Sequence, residues 1–375
     1  MKLSDWKEYR IGELIETIFS GGTPNTKNSD YWNGSLPWLS SGETRNRYIN
    51  VTEKTITDSG AQNSSTRQAL KGDVVMASAG QGYTRGQVSF LNIDTFINQS
   101  VIAIRANEKV LDKKFLFYNL SSRYEELRAI SDSNSIRGSI TTKMVKSMNI
   151  RIPDLNTQKA IANTLSSIDD KIETSKQINH HLEEMATSIF ENMFPNVSSG
   201  KSTIGNYIIP KRGKNLLSKD AIVGKVPVVA GGLQPSTFHN IANTKSPVLT
   251  ISASGANAGY VNLWHIPVWS SDSSYIDTSI TDNVYFWYVM LKKRQQEIYD
   301  SQTGSAQPHI YPKHIEIMPT IDLSEDKVSR FTKQVTPLFE SIGNNIKEIG
   351  ELQTLRDTLL PKLLSGEISV NQASK

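Results

Sequence analysis

Cysteine is absent from the 375 residues, which excludes a disulfide framework, a thiolate zinc site and a cysteine nucleophile together. No run of about 18 apolar residues occurs, so nothing reads as a membrane span. The stretch Met1 to Arg10 has no apolar core behind its basic start and does not read as a signal peptide. A chain free of membrane segments in a reducing cytoplasm is the expectation.

Signatures of chemistry are missing as well. No Gly-x-x-x-x-Gly-Lys-Ser/Thr run is present to cradle a phosphate. Gly80 to Gly86 holds one residue too many for a dinucleotide fingerprint and does not clearly open a helix. No two prolines are adjacent, which removes the Asp/Asn-Pro-Pro-aromatic tetrapeptide of amino-methyltransferases. Among six histidines, His180 and His181 read as the solvated face of a helix, and His309 and His314 straddle Pro312 without helical metal-pair spacing. No Ser-His-Asp set stands out. These absences point to a chain that binds rather than catalyses, with no cofactor or metal of its own.

What is present is length, cores and patterned charge. The chain is long enough for two or three domains. The net charge of +4 is a weak argument for nucleic acid, but its distribution says more. Residues 1–153 carry +5, 154–200 carry −4, 201–323 carry +3 and 324–375 are neutral. Chance fluctuation of a solvated surface is the bland alternative.

The same order of features is written twice. Val74-Val75-Met76 leads into a Gly-rich turn ending Gly82-Tyr83, and Leu249-Thr250-Ile251 leads into one ending Gly259-Tyr260. Phe115 to Leu120 matches Tyr285 to Met290, each opening an aromatic segment of helical period. A polar loop follows in each half, Ser133 to Ser139 and Ser301 to Pro308. A short alternating strand is then expected to end on proline, Met148 to Pro153 and His314 to Pro319. Ile11-Gly12 and Ile204-Gly205 echo at the start.

After each proline the apolar period changes from two to about 3.5. The first seam runs Ile161, Leu165, Ile168, Ile172, then through polar Ser175 and Asn179 to Leu182 and Ile189. The second runs Val335, Leu338, Ile342, Asn345, Ile349, Leu352 and Leu359, interrupted at Arg356. Pro195 closes the first helix, Ser324 reads as N-cap of the second, and Pro337 and Pro361 are expected to bend or break it. Domain, helix, domain, helix implies antiparallel pairing, with Asn179 and Asn345 restricting register. Such pseudo-twofold organisation suits a duplex with two different half-sites.

The residue types suited to phosphates and base edges fall in loops. In the first half they are Gly22, Thr23, Asn25, Lys27, Arg45, Arg47, Ser78, Gln81, Tyr83, Thr84, Arg85 and Arg137. In the second they are Lys211, Arg212, Lys214, Ser254, Asn257, Tyr260, Gln307 and His309. An ordinary polar loop side chain is the alternative for each.

These residues resemble one family, the specificity subunits of type I restriction-modification systems. The resemblance rests on Ser20-Gly21-Gly22-Thr23-Pro24, Tyr31-Trp32-Asn33-Gly34, Pro37-Trp38, Lys71-Gly72-Asp73-Val74-Val75 and Ile97-Asn98-Gln99-Ser100. It rests also on the Ile-Pro ending before Gln158, Ser167 to Ile172, and Leu359 to Glu367. The second half departs from it by lacking a Gly-Gly-Thr-Pro loop. It implies an α+β chain of two pseudo-repeated α/β target-recognition domains, 1–153 and 201–323, separated by two long antiparallel coiled-coil helices, 154–200 and 324–375 with the C-terminal tail. It further implies a split asymmetric double-stranded DNA site, two adenine-N6 methyltransferase subunits using S-adenosylmethionine, and ATP- and Mg-dependent restriction subunits, those cofactors belonging to the partners. A stand-alone nuclease or methyltransferase, or a coiled-coil nucleic-acid-binding adaptor, are the rival readings.

Overall fold

A computed structural model describes residues 6–132, 138–304 and 307–373. The chain forms two compact units, one of residues 1–171 with 351–375, the other of residues 172–350. No helix among the described residues is long and apolar enough to cross a membrane.

Unit 1 begins with β1 (Lys7–Arg10), α1 (Ile11–Leu14), β2 (Ile15–Ser20), β3 (Trp32–Leu39), β4 (Tyr48–Ile49), β5 (Lys54–Ile56) and α2 (Asp58–Gln62). It continues with β6 (Arg67–Ala69), β7 (Val74–Ala77), β8 (Val88–Leu91), β9 (Thr95–Ile97) and β10 (Val101–Ala106). Then come α3 (Lys113–Ser121), α4 (Tyr124–Asp132), α5 (Thr142–Ser147), β11 (Asn149–Ile152) and the long α6 (Leu155–Met193), which from residue 172 onward belongs to unit 2. One sheet has the order β2-β10-β7-β8-β4, a second β5-β3-β9-β6, and β1 pairs with β11. The apolar β7 and β10 lie centrally and are almost wholly buried, as the runs Val74-Val75-Met76-Ala77 and Val101-Ile102-Ala103-Ile104 require. On the other side of the sheet core stand Phe115, Phe117, Tyr118 and Leu120 of α3, whose start is capped by Asp112 accepting from the Phe115 N–H at 2.9 Å.

Unit 2 runs β12 (Ser202–Thr203), β13 (Lys211–Arg212), β14 (Val226–Val229), β15 (Thr237–His239), β16 (Val248–Ser252), β17 (Val261–Trp264), β18 (Trp269–Ser270) and β19 (Ser273–Asp277). Next are α7 (Val284–Lys293), α8 (Gln295–Asp300), α9 (Pro312–Glu316), β20 (Pro319–Thr320) and α10 (Glu325–Ser365); a final turn, α11 (Val370–Ala373), belongs to unit 1. Its sheets repeat those of unit 1. The order β13-β19-β16-β17 reproduces β2-β10-β7-β8. β14 pairs antiparallel with β15 and parallel with β18, as β3 does with β5 and β9.

The repeat extends to single hydrogen bonds. The Ile11 N–H donates to the Met148 carbonyl at 2.9 Å and the Ile204 N–H to Met318 at 3.0 Å. Met148 and Met318 are therefore equivalent, and the two prolines aligned from sequence, Pro153 and Pro319, are not. The alternating strand expected over His314 to Pro319 is likewise corrected: Pro312–Glu316 is a helical turn, matching α5, and only Pro319–Thr320 is strand. Proline at the first helical position favours the turn over a strand.

Helix α6 opens on Asp154, whose carboxylate accepts from the Thr157 N–H and hydroxyl at 3.1 and 2.7 Å. Those bonds hold its carboxyl below the usual range. Gln158, one turn in, is buried and donates to the Val110 and Pro153 carbonyls while accepting from the Asp112 N–H. In unit 2 the two long helices run antiparallel. Phe190 meets Phe331 with ring centroids 5.6 Å apart, and Asn345 donates to the Asn179 side chain at 2.7 Å, one number falling as the other rises.

Of the bend or break expected at Pro337 and Pro361, the break does not occur: α10 continues through both. Both rings and the residues four before them, Lys333 and Asp357, are exposed, so each carbonyl deprived of its helical donor faces water. In the seams Ile161, Leu165, Ile168, Ile172, Val335 and Ile342 are buried. Leu182, Ile189, Leu338, Ile349, Leu352 and Leu359 are half-buried, and Phe339 and Leu360 lie deeper than the neighbouring Leu338 and Leu359. The units use a slightly wider stripe than a coiled-coil seam because each helix segment also covers the core of the unit it belongs to.

Buried positions 161, 165, 169 and 172 in α6 share the spacing of 331, 335, 339 and 342 in α10. Unit 2 places Phe339 there, stacked on Tyr285 at 4.7 Å. Unit 1 places Asp169, with a side chain only 2% exposed. Its Oδ2 accepts from Arg47 Nε at 2.9 Å, the Tyr48 hydroxyl at 2.8 Å and the Tyr118 hydroxyl at 2.7 Å. Its Oδ1 accepts from Arg356 Nη1 at 2.9 Å, so the residue that interrupts the second seam is the partner of this carboxylate. Burial pushes the Asp169 carboxyl up, but Arg47, Arg356 and the two hydroxyls outweigh it and hold it below the usual range. Burial beside that carboxylate raises both tyrosine hydroxyls well above theirs.

Asp169→Ala strands two partly buried guanidinium groups and should cost unit 1 about 3 kcal/mol in urea unfolding. Because the carboxyl is depressed in the folded state, its stabilisation is complete above about pH 4 and disappears as pH falls below that. The gap between wild type and Asp169→Asn should therefore close on acidification; a gap independent of pH would contradict it. Pro337→Ala restores a helical donor on an exposed face and should stabilise unit 2 by about 2 kcal/mol.

Candidate nucleic-acid interface

In unit 1 three loops meet at one end of the sheet. Gly21 and Gly22 donate to the Asn98 and Ile97 carbonyls, and a Cβ at either would lie 1.9 Å from the Ile97 oxygen or 2.0 Å from Ser65 Oγ. The close approach that glycine permits is used inside the protein, and Gly22 is buried with its carbonyl accepting from Trp38 Nε1. Beyond it Thr23 donates to the Gln99 side chain. Asn25 accepts from the Lys27 N–H at 3.0 Å and, through its carbonyl, from Trp32 Nε1, leaving Asn25 and Lys27 exposed. Ser78 is buried, its N–H donating to Ser100 and its carbonyl accepting from Ile140.

The arginines divide. Arg45 is exposed, bonded to the Gly42 carbonyl and Glu53. Arg47 is turned inward on Asp169, its guanidinium 4.8 Å from the Phe117 ring centroid. Arg85 is buried against the Gly138 carbonyl and Asp132, so its charge supports the loop from below. Gln81 and Tyr83 are exposed on that loop and Thr84 is half-buried. Arg137 lies outside the described residues.

Unit 2 assembles its candidates at the matching edge. β13 occupies the place of the end of β2, and a Cβ on Gly213 would sit 2.5 Å from the Ser270 oxygen, as one on Gly21 would crowd Ile97. Lys211 and Arg212 therefore match the last strand residues Phe19 and Ser20, and the segment opening at Gly213-Lys214 stands where unit 1 has its Gly-Gly-Thr-Pro loop. Asp272 gathers the cluster: Arg212 donates to it at 2.6 Å, Ser254 donates to its other oxygen, and Ser254 bridges to His309. Lys211, Lys214 and Gln307 are exposed, and Asn257 is half-buried nearby in sequence. Tyr260 lies under the Lys292 ammonium at 4.5 Å, and burial pushes that ammonium's pKa down.

Equivalent turns show where the sequence alignment slipped. The Gly86 N–H donates to the Ala77 carbonyl and the Gly259 N–H to Ser252, both glycines at positive φ, 89° and 87°. Gly86 and Gly259 are the matching glycines, so Tyr83 sits at a loop tip whereas Tyr260 lies just before the next strand, β17.

Sequence reasoning missed a pair of clamps. Arg123 bonds Glu126 and the Asn149 carbonyl at 2.9 Å, and Arg294 bonds Glu297 and the Pro319 carbonyl at 2.9 Å. Both tie the helix pair to the closing strand, and the shared Arg-x-x-Glu spacing was the available signal. It also missed Asp272, Gln99 and Asp169. Among the described residues no group of three or more His, Asp or Glu is arranged to hold a metal ion.

A family model described as the type I restriction modification DNA specificity domain matches residues 3–184. The MjaIX type I restriction enzyme specificity subunit of Methanocaldococcus jannaschii is 27% identical, over 98% of this chain and 94% of its own. The HindI specificity subunit of Haemophilus influenzae is 26% identical over 64% of this chain and 53% of its own. The crystal structure of a type I restriction-modification S subunit from M. genitalium shares the fold, with a TM-score of 0.61 at 21% identity over 96% of both chains. The domain model matches residues 3–184 and a type I specificity subunit matches nearly the whole length, so the chain is similar throughout to the specificity subunits of type I restriction-modification systems.

Proposed function

We propose that the chain reads a split, asymmetric duplex-DNA site, one half through each target-recognition domain, residues 1–153 and 201–323. Residues 154–200 and 324–375 supply the spacer helices. The observation that carries this reading is one sheet topology built twice with different residues at the same edge. Thr23, Asn25, Lys27, Gln81, Tyr83 and Thr84 occupy that edge in unit 1; Lys211, Arg212, Lys214, Ser254, Asn257, Gln307 and His309 occupy it in unit 2. A constant scaffold holds backbone ends in the same places, while divergent side chains change the hydrogen-bond pattern offered to base edges.

Two adenine-N6 methyltransferase subunits would dock on this chain, and restriction subunits would join them. S-adenosylmethionine, ATP and Mg act in those partners, and modification and restriction of cellular DNA take place in the cytoplasm. The recognition chain's contribution is to fix which adenines are presented for extrusion into a partner's pocket.

Exchanging residues 1–153 for the matching domain of another family member should change one half of the methylated motif, mapped by sequencing modified adenines, and leave the other half intact. Change in both halves would refute one reader per domain. Lys27→Ala and Lys214→Ala each remove an exposed cation without touching a core. A cation that neutralises one phosphate adds about 0.9 to the slope of log affinity against log salt, and each variant should lower the slope by that amount. Wild-type slopes in both would remove these loops from the interface.

A further inference from the structure

The loop Gly80 to Gly86 is held unusually firmly for a surface turn. From α4 the Tyr124 hydroxyl donates to the Tyr83 carbonyl at 3.0 Å and Arg128 Nη1 to the Gly82 carbonyl at 2.6 Å. Arg85 reaches down to Gly138 and Asp132. Within the loop the Thr84 N–H bonds the Gln81 carbonyl, and the Gly86 N–H closes on Ala77. Gly82 takes φ of 59° at the tip, where its missing Cβ avoids strain. All this fixes the backbone that carries Tyr83, a residue 82% exposed and the most exposed of the Phe, Tyr and Trp among the described residues.

The bonds hold the loop on α4, but an aromatic ring left in water adds nothing to the core of unit 1. A fixed backbone under an exposed ring is what a contact made with something else requires, because the ordering entropy is already spent before binding. We infer that Tyr83 is a stacking probe that lays its ring against bases of the duplex read by unit 1, at a base step opened when the target adenine is extruded. This rests on the DNA-reading function proposed above. A tyrosine ring offers a π-face to any base and loses little rotamer freedom on contact. Bulky side chains that enter a base step stabilise an opened duplex in the same way. The surroundings suit a polyanion, since Gln81 and Thr84 flank the ring and the segment 1–153 carries net charge +5.

Unit 2 has no counterpart. Between the matching residues Ala77 and Gly86 or Ser252 and Gly259 its loop is two residues shorter, and Gly255-Ala256-Asn257 forms its crown. Gln302 and Gln295 secure the Ala258 and Gly259 carbonyls instead. Stacking is therefore confined to the half-site read by unit 1, and the two adenines are opened with unequal help.

The test uses the full-length chain with its methyltransferase subunits and a duplex carrying the motif mapped for the wild type. Tyr83→Ala should weaken binding roughly 5- to 150-fold, whereas Tyr83→Phe should bind like wild type. The salt slope, the unfolding curve and co-purification with the methyltransferase should be unchanged in both. Wild-type binding by Tyr83→Ala overturns the inference. So does an equal loss in Tyr83→Phe, which would mark a hydroxyl hydrogen bond, and so does failure to co-purify, which would mark a protein contact. If the wild-type complex itself fails to bind the duplex, the DNA-reading function falls; if it binds and only the Ala result is negative, stacking alone falls.

Discussion

A single buried carboxylate organises unit 1. Asp169 receives donors from the strand region at Arg47 and Tyr48, from α3 at Tyr118 and from the last long helix at Arg356. An ion in that setting loses its hydration, so it is tolerable only when each oxygen is satisfied, and that demand fixes the geometry of every donor at once. Apolar seams can slide by a heptad with little change in buried area. A carboxylate whose counterion sits on the facing helix cannot, because the slide would leave both charges unpaired.

Unit 2 solves the same packing problem without charge. Phe339 takes the place of Asp169, with Tyr285 and Tyr288 against it. Register there comes from the Asn345 to Asn179 hydrogen bond. Two copies of one architecture have thus acquired chemically distinct centres, so neither helix end is a good substitute for the other.

The candidate edge depends on the scaffold behind it. Arg123 with Glu126 and Arg294 with Glu297 tie each helix pair to its closing strand, while glycines at 21 and 213 let the opening strand lie against the sheet edge. With those contacts constant, the turns after β2, β7, β13 and β16 are free to differ in length and side chain. Divergent side chains on a repeated frame follow from that separation.

Much of this was legible in the residues. The two-fold repeat, the central strands, the aromatic helices and the two long helices each carry a periodic apolar signal, and periodicity depends only on local geometry. The residues lining the edge were legible as a set, because Gly, Asn, Gln, Lys and Arg in loops suit nucleic acid whatever their orientation. Orientation was not legible. Arg47 and Arg85 look like Arg45 and Lys27 in sequence, yet partners 122 and 47 residues away draw them inward. The seam broken at Arg356 read as a flaw until Asp169 stood opposite it, and Tyr83 read as the twin of Tyr260 until backbone bonds paired Gly86 with Gly259. The sequence alone determined the repeat and the long periodic elements. The tertiary structure decided which charges face inward and which ring stands exposed, because those outcomes depend on burial and on contacts between residues far apart in the chain.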